Sequence, residues 1–487
     1  MTVATTPLAE EFGAQGDDAT RARWMALVDK TLKGQSFDEA LTVKTPDGLT
    51  IQPLYTAKDG VAVARDLRAR DPERPWDLRV RAAHPDPVHT ARDILTDLEN
   101  GAASVLVKID PTGADGVAVG SADDLSTALS GVLLDLATVA LDAGFLGPKA
   151  ADWLGTLTKG APYAPLAFHL DPLTAFAQAG ISPGPIESHV FNAATVASRL
   201  AQTYAKASLF LATGRAAHEA GGSNTEELAM MTASALAYAK ALVRSGLSMD
   251  DAFGRIVLGV SLDGEYFTGV AKVRAAKAMW ARLTQACGVS VPPRIEVRSS
   301  RRMLAKADAW TNLLRLTSAG FAGAVGGADT ILLDTFTDTI GLPTAFARRQ
   351  ARNTQLVLME ESNLGRVADP AGGAWYLDSL TDQMARAAWS GFQAIEAAGG
   401  IIKALEGGAV ADAVAKTRAS QEAAFADKSR KILGVTVFPN ADDKTPEVET
   451  PDVAAFAVAG PDVRLPGPDS RCPALAPVRF AAAFEGA

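Results

Sequence analysis

Apolar and polar positions alternate in two rhythms along this chain, and their order predicts an architecture before any single residue is weighed. Trp24, Leu27, Val28 and Leu32 repeat at helical spacing, with Gly34 as a stop and Ser36, Phe37, Asp38 and Glu39 as a fresh start signal. Two alternating runs, 41–45 and 49–55, flank Pro46, Asp47 and Gly48 and read as a β-hairpin. Short β-like runs then recur at 76–82, 104–109, 166–170, 208–212, 255–261, 294–298, 330–334 and 355–359. Between them lie Ala/Leu-rich segments with apolar residues three or four apart, at 89–100, 125–141, 193–205, 226–243, 270–286 and 308–319. Eight strands alternating with helices predict an α/β fold, a (β/α)8 TIM barrel.

The same alternation permits an open doubly wound sheet. A phosphate-cradling fingerprint would favour that sheet, but Gly320, Gly323, Gly326 and Gly327 lack the G-x-G-x-x-G spacing and no Walker-type motif occurs. Beyond the strands a helical stretch carries Met384, Ala388, Trp389, Phe392 and Ile395 and stops at Gly399 and Gly400. Eight prolines then fall between 439 and 477 among acidic clusters with little periodicity, which reads as an extended surface tail or linker, free to wrap a partner or to lie unpacked. The domain reading is therefore an N-terminal arm (1–56), the barrel (57–405) and a C-terminal helical linker with a Pro-rich tail (406–487).

Composition changes the picture chiefly by exclusion. A chain of 487 residues with 48% hydrophobic side chains has ample material for a core. A net charge of -9 without any Lys/Arg-rich run argues against nucleic acid as a partner. The two cysteines, Cys287 and Cys472, support neither a disulfide framework nor a thiolate metal cluster, and a reducing cytoplasm fits them. Residues 1–20 carry Glu10, Glu11, Asp17 and Asp18 and no apolar core of a signal peptide, and no apolar run is long enough to span a bilayer.

In a (β/α)8 barrel the chemistry lies at the carboxyl ends of the strands. The polar residues there are Arg79, Arg81, Lys108, Asp110, His169, Asp171, Arg215, His218, Asp263, Glu265, Arg298, Arg301, Asp334, Glu360 and Glu361. Several arginines at one mouth suit a phosphate-bearing ligand, and equally suit mutual pairing with carboxylates at the rim. His84 and His89 flank the turn of Pro85, Asp86 and Pro87; with H-E-x-x-H and C-x-x-C both absent, two surface loop histidines fit better than a zinc pair. His169 ends an apolar strand just before Asp171, as a hydrogen-bonded barrel histidine or a catalytic one. His189 has no obvious partner, and a surface loop accounts for His218 with Glu219.

Four uneven segments carry a stronger signal: TPDGLTIQPLYT at 45–56, ERPWDLR at 73–79, LPTAFARRQARNTQ at 342–355 and VADPAGGAWY at 367–376. Through them, from Trp24 to about Phe438, the chain resembles the methylmalonyl-CoA mutase family. Active members interconvert methylmalonyl-CoA and succinyl-CoA with adenosylcobalamin, thread the CoA through the barrel, and take the cobalt's lower ligand from a D-x-H-x-x-G motif in a further domain. No histidine here follows an aspartate by two positions, so the resemblance implies a chain without a cobalamin-binding domain and with no metal or cofactor of its own.

The resemblance also implies a degenerate site. The family's active-site tyrosine corresponds to Arg81, its catalytic histidine to Ala216, the aromatic residue beside that histidine to Arg215, and an expected asparagine to Asp334. Arg74, Arg79 and Arg255 match arginines that contact substrate or cofactor in active members, as vestigial ligand contacts or as ion-pair anchors. The chain accordingly resembles the small subunit of a heterodimeric mutase, catalytically silent, with adenosylcobalamin on a homologous catalytic large subunit. Two other readings stay open: a catalytic core working with a separate cobalamin-binding chain, which should have kept the histidine and the aromatic residue, and a different barrel enzyme using His169 and Asp171.

Overall fold

The computed structural model describes residues 18–486, with side chains from residue 20; the acidic stretch before Asp18 lies outside the described residues. Eight parallel strands close into a barrel: β1 (Asp77–Ala82), β2 (Ser104–Lys108), β3 (Thr138–Asp142), β4 (Leu166–Leu170), β5 (Ser208–Thr213), β6 (Ile256–Leu262), β7 (Ile295–Ser299) and β8 (Thr330–Leu332). The ring is completed where Ile331 of β8 sits opposite Leu78 of β1 on one side and Val297 of β7 on the other. The expected (β/α)8 barrel is therefore present, and the open sheet is not.

Two of its elements differ from the sequence reading. The run 125–141 is not one helix: a short helix, Ala122–Ala128, is capped by the Ser121 hydroxyl, and β3 follows after a turn through Gly131 at φ +84°. The run 355–359 is not a strand. It continues the helix Ala345–Leu356 into a π-helical turn, Val357–Glu361, with Ala347, Gln355, Leu358 and Met359 buried at helical spacing. Gln355 accepts a hydrogen bond from the Trp76 indole (3.1 Å), fixing this helix outside β1.

The helix Asn224–Arg244 is buried on most of its circumference, as expected where a helix lies between two layers. Its inner face meets β5 and its outer face meets the helix Trp375–Ala397. The N-terminal hairpin pairs Val43 with Ile51, and Gly48 supplies the left-handed turn (φ +75°). Asp47 in that turn accepts from the Thr225 amide at 2.6 Å, so the segment 45–56 docks the arm on the helix N-terminus.

A fully buried ionic cluster ties this outer helix to the barrel. Lys272 (1% exposed) pairs with Glu227 (0%), donates to the Ser261 carbonyl at 2.7 Å, and lies 3.2 Å from His218 Nδ1. Glu227 in turn accepts from the Ser261 amide at 2.6 Å. His218 is thus an interior residue, not a surface-loop one, because the short helix that carries it, Arg215–Glu219, packs against β6.

The proline-rich tail is extended yet not free. Val448–Glu449 pairs antiparallel with Leu342–Pro343, and the chain then crosses the carboxyl face of the barrel. Its amides donate in turn to carbonyls of Pro111 after β2, Gly180 and Ala177 after β4, and Glu219 after β5, while Leu475 is buried. This strap roofs the barrel mouth.

Substituting Glu227→Gln keeps the side-chain volume but leaves the Lys272 charge buried without its counter-ion. The expected cost is about 3–5 kcal/mol, read as a lower urea midpoint with an unchanged slope.

Candidate functional site

Strand alternation aims every second side chain at the barrel axis, and one interior group is apolar: Leu106 from β2, Ala140 from β3, Ala167 from β4 and Leu332 from β8 pack together. Charged groups fill much of the rest of the interior. Arg79 from β1 donates to Ser104 Oγ at 2.8 Å and to Asp77 at 2.7 Å, and pairs with Glu296 from β7. Glu296 also accepts from Arg298 at 2.7 Å, and Arg298 reaches Asp142 at the end of β3 at 3.0 Å. Glu296 is 0% exposed and Arg79 is 4% exposed, so these charges close the axis.

At the rim Arg81 Nε lies 3.0 Å from Asp334, and its other end pairs with Asp338, which Arg301 also holds. Burial works against the Arg81 charge, yet Asp334 and then Asp338 more than offset it and raise its pKa. Burial likewise opposes the Asp334 charge, and Arg81 and Arg301 hold its pKa below the ordinary value. The position expected to carry a tyrosine and the one expected to carry an asparagine have become an ion pair with each other.

Gly214 is required where β5 gives way to the next turn, since a Cβ there would meet the Glu227 carbonyl oxygen at 2.0 Å. Arg215 follows and faces the mouth. Ala216 is 1% exposed and packed among apolar neighbours rather than lining the mouth.

His169 lines the mouth with φ +46°, its Nε2 3.8 Å from Glu296 and its Nδ1 without a hydrogen-bond partner. Burial, with Arg79 and Arg298 nearby, pushes it down to about 4, so it is neutral at pH 7. Asp171 caps the helix Pro172–Ala179 through the Thr174 amide and accepts from the Tyr238 hydroxyl; burial pushes it up to about 7. His169 and Asp171 share the cavity but make no hydrogen bond with each other among the described contacts.

The remaining candidates are scattered. Arg74 reaches the Gly101 carbonyl (3.3 Å) and Arg255 the Tyr204 and Ala207 carbonyls (3.0 and 3.2 Å), both at the amino end of the barrel, away from the mouth. Asp263 binds Arg302, Glu265 binds Arg430, and Glu360 and Glu361 are exposed on the π-helical turn. His189 Nε2 has a partner after all, the Pro183 carbonyl at 2.9 Å.

His84 and His89 come together with Glu449 of the tail, a group within reach of one metal ion. The imidazole rings are stacked 4.0 Å apart and nearly parallel, so no point lies in the plane of both rings. His84 Nδ1 accepts from the Asp86 amide, leaving the proton on the Nε2 that a metal would need. The cluster fits a polar clasp on the tail better than a metal centre.

Three groups that shape the site escaped sequence reasoning: Asp142, Glu296 and Asp338. Glu296 was legible in principle, because it lies two residues before Arg298 on one strand and must share its face.

The family profile described as methylmalonyl-CoA mutase matches residues 44–459. This chain belongs to the methylmalonyl-CoA mutase family. It is 38% identical to the methylmalonyl-CoA mutase small subunit of Streptomyces virginiae over 91% of this chain and 73% of the relative. It is 36% identical to a probable methylmalonyl-CoA mutase small subunit of Mycobacterium tuberculosis (87% and 72% covered) and 33% identical to the small subunit of Propionibacterium freudenreichii subsp. shermanii (90% and 71%).

Asp171 gives a pH test. Its folded pKa is raised, so folding takes up a proton between the ordinary carboxyl value and about 7, and its contribution to stability falls as pH rises through that window. The Asp171→Asn variant retains the cap and removes this dependence. Denaturant unfolding should show it gaining stability relative to the parent chain at pH 8 and losing that advantage at pH 4.

Proposed function

We propose that this chain is the small subunit of a methylmalonyl-CoA mutase, paired with a homologous large subunit that carries adenosylcobalamin and performs the isomerisation, while its own barrel is catalytically silent. The names of its relatives support the subunit role. The observation that carries the silence is the Arg81 ion pair with Asp334 and Asp338, which fills the rim where a substrate would meet a cofactor.

Three further features point the same way. The Arg79, Glu296, Arg298 and Asp142 lattice leaves no axial passage for a pantetheine chain. The strap crosses the face on which a corrin would have to lie. The single histidine that lines the mouth, His169, turns its Nε2 inward to Glu296, so the residues present do not fit the lower ligand of a cobalt ion, and no step of the reaction is assigned to them. The contribution of this chain is then made through shared surface: a partner that binds only the folded large subunit stabilises it by mass action.

Co-expression with a candidate large subunit should yield a stable complex with adenosylcobalamin-dependent mutase activity, and the isolated chain should show none. Turnover by this chain supplied with a free cobalamin domain would sink the proposal. The Ala216→His variant should remain inactive, because Arg81 still fills the rim and position 216 is packed; measurable turnover there would show the blocked-rim account to be wrong.

A further inference from the structure

The departures from the active members do not leave an inert rim. Between strap and barrel the mouth retains a cavity of about 610 Å³, walled on the tail side by Val463 and Pro477. Five cations line it. Arg81 is held by Asp334 and Asp338, Arg301 by Asp338, Lys108 by Asp115, and Arg298 by Glu296 and Asp142. Arg215 has no such partner among the described residues, and its Nη1 is buried without any hydrogen bond.

Arg298 is 8% exposed, and although two carboxylates hold it, its Nη2 is likewise buried with no acceptor. Two guanidinium groups that line one cavity therefore each keep a buried N–H donor without an acceptor. Both cations line the same cavity, and burial and then the Arg298 charge lower the Arg215 pKa. Unmet donors and like charges are both costly in a buried setting, and one oxyanion between the forks relieves both. The carboxylates around the cavity are mostly engaged already: Asp142 by Arg298, Asp334 by Arg81, Asp115 by Lys108, and Asp171 by Tyr238 and the Thr174 amide. Glu219 keeps one oxygen on the Arg302 amide, and burial raises its pKa, which weakens its claim on Arg215.

We propose that the roofed mouth of this barrel is a binding site for a small oxyanion, a carboxylate or phosphate group, held between Arg215 and Arg298. One of its two arginines, Arg215, stands where the family resemblance implies an aromatic residue. The site stands whether or not the chain pairs with a large subunit. The closed axis below and the strap above limit the ligand to a small molecule and exclude a full CoA thioester.

Calorimetric titration of the full chain at constant ionic strength tests this, with inorganic phosphate in one arm and malonate in the other. Saturable binding of at least one, near one per chain, is expected, and the preferred arm identifies the group recognised. Arg215→Gln should weaken it at least tenfold, Arg215→Lys less because charge is kept and the fork lost, and the surface control Arg199→Gln not at all. Absence of saturable binding in both arms, or an affinity that Arg215→Gln leaves unchanged, would overturn the proposal. Should Arg215→Gln fail to fold, the wild-type titration and the lysine variant still decide it.

Discussion

The ion pair between Arg81 and Asp334, braced by Asp338 and Arg301, is the interaction on which the character of this barrel rests. A charge at the carboxyl end of a strand in a (β/α)8 barrel ordinarily faces a ligand. Here it faces other charges of the same chain. Burying ions costs several kcal/mol each unless partners and hydrogen bonds replace the lost water, and a carboxylate shared by two guanidinium groups is one way to do so. The second lattice beneath, from Arg79 through Glu296 to Arg298 and Asp142, applies the same solution across three strands. Together they fill the barrel interior and its rim with paired charge.

The strap is the geometric counterpart of that closure. A polypeptide laid over a barrel mouth needs acceptors for its amides, and the loops after β2, β4 and β5 supply them in order along its path. Proline suits such a segment, because its missing N–H costs nothing where only alternate backbone groups find partners and its fixed φ keeps the chain extended. The tail is also pinned before it crosses, by the short pairing with Leu342–Pro343 and by the His84, His89 and Glu449 clasp. Closure of the face and closure of the axis are thus separate devices, one in the backbone and one in side chains.

Much of this was legible in sequence, and the failures have physical causes. Seven of the barrel strands announced themselves as short apolar runs, and the hairpin by its turn residues. β3 was hidden because its apolar residues continue the spacing of the helix before it; only Gly131, at positive φ, marked the break. The run at 355–359 misled because five consecutive mostly apolar residues carry no period of their own. At the site motif resemblance singled out positions 81, 215, 216 and 334. Their mutual pairing could not be read from it, since an ion pair between β1 and the loop after β8 spans the barrel seam and leaves no local trace. The tail was readable as extended, but not as packed, because backbone donors meeting loop carbonyls have no side-chain signature.

Gly214 and Ala216 show what selection on fold and on chemistry can each leave behind. The glycine sits where the Glu227 carbonyl of the neighbouring helix leaves no room for a Cβ, so it is demanded here by backbone approach. Two residues later nothing in the backbone asks for a particular side chain, and an alanine packs there with 1% exposure. A family frame can therefore be retained strand for strand by residues that answer to packing alone, while the positions that answer to chemistry drift toward whatever satisfies their neighbours. Arg215, lying between the two, keeps a buried N–H donor that no neighbour satisfies.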